Sequence, residues 1–331
     1  MDLIYTDKQR KDIGVMKDYT FDLAFGTDEN DFELTTELEN HCCEANGLVY
    51  IENTEYGGII DGLGVATSDD KLTYKGRTWH GILDSKIIEP KDDKSPLKVS
   101  GEVNHIVGNL ISRCGLSNLF IASSNNSGLY TDGYSFDKYI GMYSGLKKLV
   151  ESVNGKLKFS YTNGKVIVSA VPLIDYSKDE QFDNDQVEME IDKVYNSVNH
   201  LICVPKEKEK KEEDEEPLPI VHLYRNRNGV FSQTQTFQGL DEIMGVYEYS
   251  TQDDMDELLK DLKIGNVEKL KNHVKYDSVQ MDFEAEEDSY DVGDIIGARE
   301  IITGTVASAK ITKKIVTIRQ GAVNIQYKVG E

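Results

Sequence analysis

The sequence predicts a β-rich α+β protein in which two strand-rich ends flank a helical middle. Three observations predict it. Short alternating runs punctuated by Gly, Asn and Asp fill the first ninety residues; two stretches at helical spacing then lead into an Asn-Gly hairpin; and alternating runs resume after residue 275.

The first region, 1–95, opens with Leu3-Ile4-Tyr5. Tyr19 to Phe25 alternates large apolar or aromatic residues with smaller or polar ones, the period of a half-buried strand, and Phe32-Glu33-Leu34 repeats the pattern. Leu48 to Ile51, then Ile59-Ile60 between Gly57-Gly58 and Gly62, then Leu72-Thr73-Tyr74 before Gly76, add further strands, and Ile82-Leu83 and Ile87-Ile88 lead to Pro90. Short strands separated by turn residues predict a barrel or sandwich. The region 96–175 changes period. Val103, Ile106, Val107, Leu110 and Ile111 make one helical stripe, with Ser100 as the expected N-cap and Gly115 as the stop. A second helix is expected over Phe136–Val153, with the stripe Ile140, Tyr143, Leu146, Leu149, Val150 and Val153. Leu157, Phe159 and Tyr161 then face Val166, Val168 and Ala170 across Asn163-Gly164, whose two residues both accept positive φ. These parts make a small α/β domain.

Residues 176–250 together with 275–331 form the second strand-rich domain. Val187, Met189 and Ile191 alternate, 197–204 and 220–224 read as strands, and the tail adds 279–283, Ile295-Ile296, 304–311, 314–318 and 325–329. Between the strands at 197–204 and 220–224 lies a charged loop, 205–219; its Lys206–Glu216 run holds no apolar residue and is expected to be solvated and mobile. A helical insertion, 251–274, is expected to carry one helix over Asp253–Leu262, with the stripe Met255, Leu258, Leu259 and Leu262, and a second over Val267–Val274.

The formal net charge of −22 over 331 residues repels phosphate, which excludes binding along a nucleic-acid backbone. No apolar run approaches the roughly 18 residues of a membrane-spanning helix, and the polar start, Met1 to Asp12, lacks the apolar core of a signal peptide, so ordinary secretion is not expected. Adjacent Cys42 and Cys43 beside His41 lack the spacing of a zinc knuckle, and all four cysteines (with Cys114 and Cys203) read as buried thiols of a reducing compartment. Asp183-Asn184-Asp185 resembles a fragment of a calcium loop without its Gly and late Glu, and reads as a solvated acidic turn. Of the histidines at 41, 80, 105, 200, 222 and 273, His200 and His222 stand on strands flanking the charged loop and are expected to face one another as a hydrogen-bonded pair. Cys114 paired with a distant His is the one route to a thiol nucleophile, and its place at a helix end argues against it. Trp79, the single tryptophan, reads as a core or interface anchor. No catalytic, cofactor or metal residues are assigned.

Four segments together carry a resemblance: 18–37 with its aromatic strand and Phe32-Glu33-Leu34; 58–90; Asn199-His200-Leu201-Ile202-Cys203-Val204 with 220–250; and Tyr290-Asp291-Val292-Gly293-Asp294-Ile295-Ile296. They resemble the siphophage and prophage tail hub family, related to the baseplate hub of contractile tails and to the N-terminal part of type VI secretion spikes. The charged Lys206–Glu216 run departs from that pattern, where a shorter, glycine-containing stretch belongs. The resemblance implies a phage tail hub fold: two tail-tube-like β-barrel domains, over 1–95 and over 176–250 with 275–331, interleaved with smaller α/β domains. It also implies a structural, non-enzymatic virion protein without cofactor, assembled in the bacterial cytoplasm as a homotrimer at the tail tip. Six barrels would surround the axis, joining tail tube to tip or spike proteins and letting DNA pass without holding it. Two alternatives remain beside it: a tail-associated cell-wall hydrolase, for which a chain ending at Glu331 leaves no appended domain, and a carbohydrate- or receptor-binding module, which would present clustered aromatics.

Overall fold

The computed structural model describes residues 1–27, 29–90, 95–179, 181–206, 217–226, 229–263, 267–285 and 288–330. The chain divides into two compact units, Met1–Glu190 with Val279–Glu331, and Ile191–Ser278.

In the first unit the N-terminal strands are Leu3–Thr6, Asp12–Met16, Thr20–Gly26, Asp31–Glu37, Leu48–Tyr50, Gly57–Ala66 and Lys71–Thr78. They pair antiparallel, and the spatial order starts at Thr20–Gly26 and runs through Asp31–Glu37, Lys71–Thr78, Gly57–Ala66, Leu48–Tyr50 and Leu3–Thr6 to the edge strand Asp12–Met16. The alternation read in the sequence is the reason: Asp31–Glu37 buries Phe32, Leu34 and Thr36 and turns Asp31, Glu33 and Glu37 to water. Gly58 and Gly76 clear room for the Phe32 ring, since a methyl on Gly76 would lie 1.9 Å from the Ile59 carbonyl and 2.7 Å from that ring. The short helix Trp79–Asp84 follows, capped by the Thr78 hydroxyl, which accepts from the Gly81 N–H. Trp79 is fully buried and stacks on Tyr161 at 5.4 Å, a core position.

The elements of region 96–175 follow the expected order with shifted boundaries. Helix Val103–Arg113 is capped by the Glu102 carboxylate, which accepts from the His105 N–H, so Ser100 is not the cap; Gly115 takes the expected positive φ of 71°. The second helix starts at Met142, not Phe136. Tyr139 adopts φ 58°, and Ile140–Gly141 pair as a short strand with Ile87–Ile88, so Phe136 and Ile140 join the core from outside the helix. The hairpin Gly155–Thr162 with Lys165–Pro172 turns at Asn163 (φ 52°) and Gly164 (φ 77°), and the register sets Phe159 opposite Val168 and Tyr161 opposite Val166.

Thr305–Arg319 is one strand of fifteen residues where the sequence suggested two. Its first part pairs with Ile295–Glu300. Its second part is central, with Ala322–Val329 on one side and Thr20–Gly26 on the other, from Lys313 opposite Gly26 to Arg319 opposite Thr20. Phe21, Leu23 and Phe25 meet Val316 and Ile318 in a common buried layer, and this apolar match joins the two ends of the chain. Strands expected in two separate barrels therefore share one continuous sheet, and among the described residues that sheet does not close into a barrel.

The second unit has strands His200–Pro205, Val221–Arg225, Phe231–Ser232 and Met244–Tyr249 and the helix Gln252–Lys263. Met255, Leu258 and Leu262 pack with Leu201, Cys203, Leu223 and Tyr249, so the helix expected as an insertion shares a core with the strands before it. The helix expected over Val267–Val274 is only a 3₁₀ turn, Glu268–Leu270; Leu270 within it and Val274 beyond it are both buried. Of the charged loop expected over 205–219, residues 207–216 lie outside the described residues.

Overpacking at the Phe32 seam has a measurable outcome. Gly76→Ala should lower stability by about 1–3 kcal/mol, read as an earlier thermal unfolding midpoint, while Gly62→Ala, whose methyl would meet nothing nearer than 3.9 Å, should leave it nearly unchanged.

Candidate functional site

The most unusual chemistry of the fold is a pair of buried lysines in the first unit, Lys314 and Lys156, each held by carboxylates. It begins with a change of strand phase. Along Thr305–Arg319 the register shifts between Ile311 and Lys313; Ile311 is buried before the shift, and Lys314, Val316 and Ile318 are buried after it. A β-bulge adds one residue to one strand and so moves the following side chains to the other face. Gly26 makes it possible, because a side chain there would lie 2.5 Å from the Thr312 carbonyl.

The shift aims Lys314 inward, where it is 1 % exposed. Its ammonium meets the Glu55 carboxylate at 2.6 Å and the Asp288 carboxylate. The Tyr56 hydroxyl donates to Asp288 at 2.9 Å, and the Tyr327 hydroxyl reaches the same carboxylate at 3.3 Å. Burial opposes the lysine's charge, but Glu55 and Asp288 outweigh it and hold the ammonium above its usual range. For Glu55, burial foremost, and the neighbouring Asp288 charge after it, push the carboxyl up against the pull of Lys314.

A second buried lysine stands nearby. Lys156, on the hairpin of the α/β domain, donates to Asp291 and Asp294, both at 2.6 Å. Asp294 is fully buried and also accepts from the Ile174 and Asp291 N–H groups at 2.8 and 3.0 Å. Lys158 adds a contact to Asp291 at 3.1 Å. Burial raises the Asp291 carboxyl, yet Lys156 and Lys158 together hold it below the usual carboxylate range. Tyr290–Asp294, which the resemblance placed in a strand, is thus the turn before Ile295–Glu300, with Gly293 at φ 102°. The two clusters tie together the N-terminal strands, the α/β hairpin and the C-terminal strands.

Between them is a cavity of about 20 Å³, room for roughly one water, lined among others by Glu55, His80, Lys156, Asp291 and Lys314. His80 is pushed down to about 3, by burial first and by Lys314 second, so it is neutral at any ordinary pH. Its ring packs 3.9 Å from Phe159 and 4.8 Å from Phe25. Every carboxylate of the clusters is engaged by a lysine, which suits an internal clamp better than proton transfer. The sequence reading assigns Glu55, Lys156, Asp288 and Lys314 no role, because a lone lysine in an alternating run reads as the solvent face.

The residues weighed in the sequence fall elsewhere. His200 and His222 do meet: His200 Nε2 lies 2.7 Å from His222 Nδ1, and its Nδ1 lies 2.7 Å from the Glu242 carboxylate, a partner the sequence did not show. A carboxylate only accepts and a neutral imidazole has one N–H, so the tautomer of His200 that gives Nδ1–H to Glu242 accepts at Nε2 from His222. The Sγ atoms of Cys42 and Cys43 lie 3.8 Å apart, and both backbone N–H groups donate to the Tyr74 hydroxyl. Burial raises the thiols of Cys43 and Cys114 and pushes Cys203 up to about 11, the direction opposite to a nucleophile. Asp183 forms a two-pronged bond with Arg299, and Asn184 binds the Ile301 N–H, so this turn fastens a neighbouring strand. Among the described residues no group of three or more His, Cys, Asp or Glu is placed to hold a metal, and no helix is long and apolar enough to cross a membrane.

No family profile matches the sequence, and no curated protein matches it. Solved structures do. A tail protein of Neisseria meningitidis is similar over 100 % of this chain and 96 % of its own (TM-score 0.53, 12 % identity). A prophage tail protein of Listeria monocytogenes covers 99 % of this chain and 94 % of its own (TM-score 0.54, 10 % identity). A 43 kDa tail protein of prophage MuSo2 from Shewanella oneidensis covers 99 % and 97 % (TM-score 0.55, 7 % identity). The chain therefore has the fold of prophage tail proteins along its whole length, as the four sequence segments implied.

Two outcomes test the clamp. Lys314→Met leaves the Glu55 carboxylate buried without its cation and should cost about 3–5 kcal/mol; adding Glu55→Gln should recover part of that loss in denaturant titrations. Because Asp291 titrates lower in the folded chain than its ordinary 3.8, its contribution is complete above that value and fades as pH falls through the lower folded one. Thermal midpoints should therefore drop on acidification below about pH 4, with a shallower drop in Asp291→Asn.

Proposed function

We propose that this chain is a structural hub at the tip of a phage or prophage tail, joining the tail tube to tip or spike proteins around the channel that DNA passes through. The observation that carries the reading is the likeness to three prophage tail proteins over nearly the full length of both chains. Three copies would make the ring. The two strand-rich ends of each copy would act as paired tube-type domains. The charge of −22 suits a wall that passes DNA without holding it. The chain would then assemble in the bacterial cytoplasm and reside in the virion tail.

No specific feature favours the cell-wall hydrolase. The carboxylates gathered in the first unit are held by buried lysines, whereas a glycosidase presents a free pair across an open cleft.

Deleting the gene from a strain that produces the particle should yield heads without functional tails, seen by electron microscopy, with infectivity restored by the gene in trans. Intact infectious particles in its absence would overturn the reading.

A further inference from the structure

The Lys156 cluster holds the parts of a bond-forming site. Lys156 and Asp294 are 4 % and 0 % exposed, and the lysine Nζ lies 2.6 Å from Asp294 Oδ2. The carboxyl carbon is one bond beyond that oxygen, close to the roughly 3–3.5 Å from which held groups react. Both oxygens of Asp294 are fixed by the backbone: Oδ1 accepts from the Ile174 N–H at 2.8 Å and Oδ2 from the Asp291 N–H at 3.0 Å. Donors so placed support negative charge that builds on a carboxyl oxygen. The Asp291 carboxylate touches the same Nζ at 2.6 Å, so a second proton acceptor stands at the nitrogen. Gly293, at φ 102°, lets the turn close on the lysine, since a methyl there would lie 3.3 Å from Lys156 Cβ.

The surroundings favour condensation over its reverse. Two opposite charges held away from water cost free energy that a neutral amide does not. The cavity beside Lys156, Asp291 and Gly293, about 20 Å³, has room for roughly one water, the size of the group that leaves. Lys314 lacks this setting, because the side chain of its partner Asp288 is 41 % exposed and open to water.

We propose that Lys156 and Asp294 join in an intramolecular isopeptide bond as the folded chain matures. One ammonium proton passes to Asp294 Oδ2, making a carboxylic acid. The freed amine adds to its carbon. Asp291 takes a second proton from the nitrogen and returns it to the departing hydroxyl, which leaves as water. The N–C bond forms, one C–O bond breaks, the two charges cancel, and nothing is oxidised or reduced. The step occurs once per chain and needs no reagent beyond the fold. The amide staples the hairpin Gly155–Thr162 with Lys165–Pro172 to the turn before Ile295–Glu300, across 138 positions of sequence. Unlike a disulfide, it holds in reducing and oxidising surroundings alike. The bond forms whether or not the chain is a hub.

Intact mass spectrometry of the folded full chain, followed by mapping of its tryptic peptides, tests this. The wild type should be lighter than its sequence by one water, with the peptides of Lys156 and Asp294 joined in one branched fragment. Lys156→Arg and Asp294→Ala should each keep the full sequence mass. Asp291→Asn keeps the shape of the side chain and removes the proton acceptor; it should slow the loss of water by about a hundredfold, with far-UV circular dichroism confirming the fold. A wild type at full sequence mass after days folded at neutral pH would overturn the bond. So would a missing water that maps to an unlinked peptide, such as an aspartate closed onto its own backbone. An Asp291→Asn chain that links as fast as the wild type would overturn the role given to Asp291.

Discussion

An inward-facing lysine in the middle of a β-sheet constrains everything packed against it. Lys314 occupies the same buried row as Val316 and Ile318, and its cation is tolerated there only because carboxylates reach it from other parts of the chain. An ion taken out of water costs several kcal/mol, and only close, fully hydrogen-bonded partners offset that cost. Glu55 comes from the turn before Gly57–Ala66, and Asp288 from the stretch before Ile295–Glu300, so the ends of the chain must meet in a single arrangement for the charge to be satisfied. The phase that aims Lys314 inward depends on the bulge at Thr312, and the bulge depends on the missing side chain of Gly26. A chain of local necessities thus runs from one glycine to the docking of three chain segments.

Much of the architecture was legible in the sequence because it is local. The alternation of Phe21, Leu23 and Phe25, the helical stripe from Val103 to Ile111, and the Asn163-Gly164 turn each carry their period in a few residues, and each appears where it was read. The errors have local causes too. Phe136 and Ile140 are apolar at helical spacing, but a positive φ at Tyr139 and pairing with Ile88 hold that stretch out of the helix. The bulge breaks the alternation of Thr305–Arg319, which made one strand look like two. What no local reading supplies is the partnership of Thr20–Gly26 with Lys313–Arg319, nor the meeting of Glu55, Asp288 and Lys314. Those residues look like ordinary turn and surface positions until distant strands close around them. The His200–His222 pair was visible because a hairpin brings its members together, while Glu242 enters from another strand connection and was not.

For a protein read as the joint between a tube and its tip, buried ionic ties have a mechanical sense. Apolar contacts slide at modest cost, but separating Lys156 from Asp291 and Asp294, or Lys314 from Glu55, would strand charges in a low-dielectric interior. The α/β domain and both strand-rich ends are held by such ties, which makes the first unit a stiff body. The histidine pair of the second unit is smaller in scale and ties its two strands to Glu242.

The partnership of Thr20–Gly26 with Lys313–Arg319 also dictates a timetable at the ribosome. Nearly the whole chain is made between the first of these strands and the last. At about 5–20 residues per second, the Thr20–Gly26 strand waits on the order of a quarter to a full minute for its neighbour. Throughout that wait Phe21, Leu23 and Phe25 lack their covering layer, and one side of the strand is open to any passing segment. Efficient production of this chain therefore depends on what shields that strand during synthesis, a demand set by topology and not by the final stability of the fold.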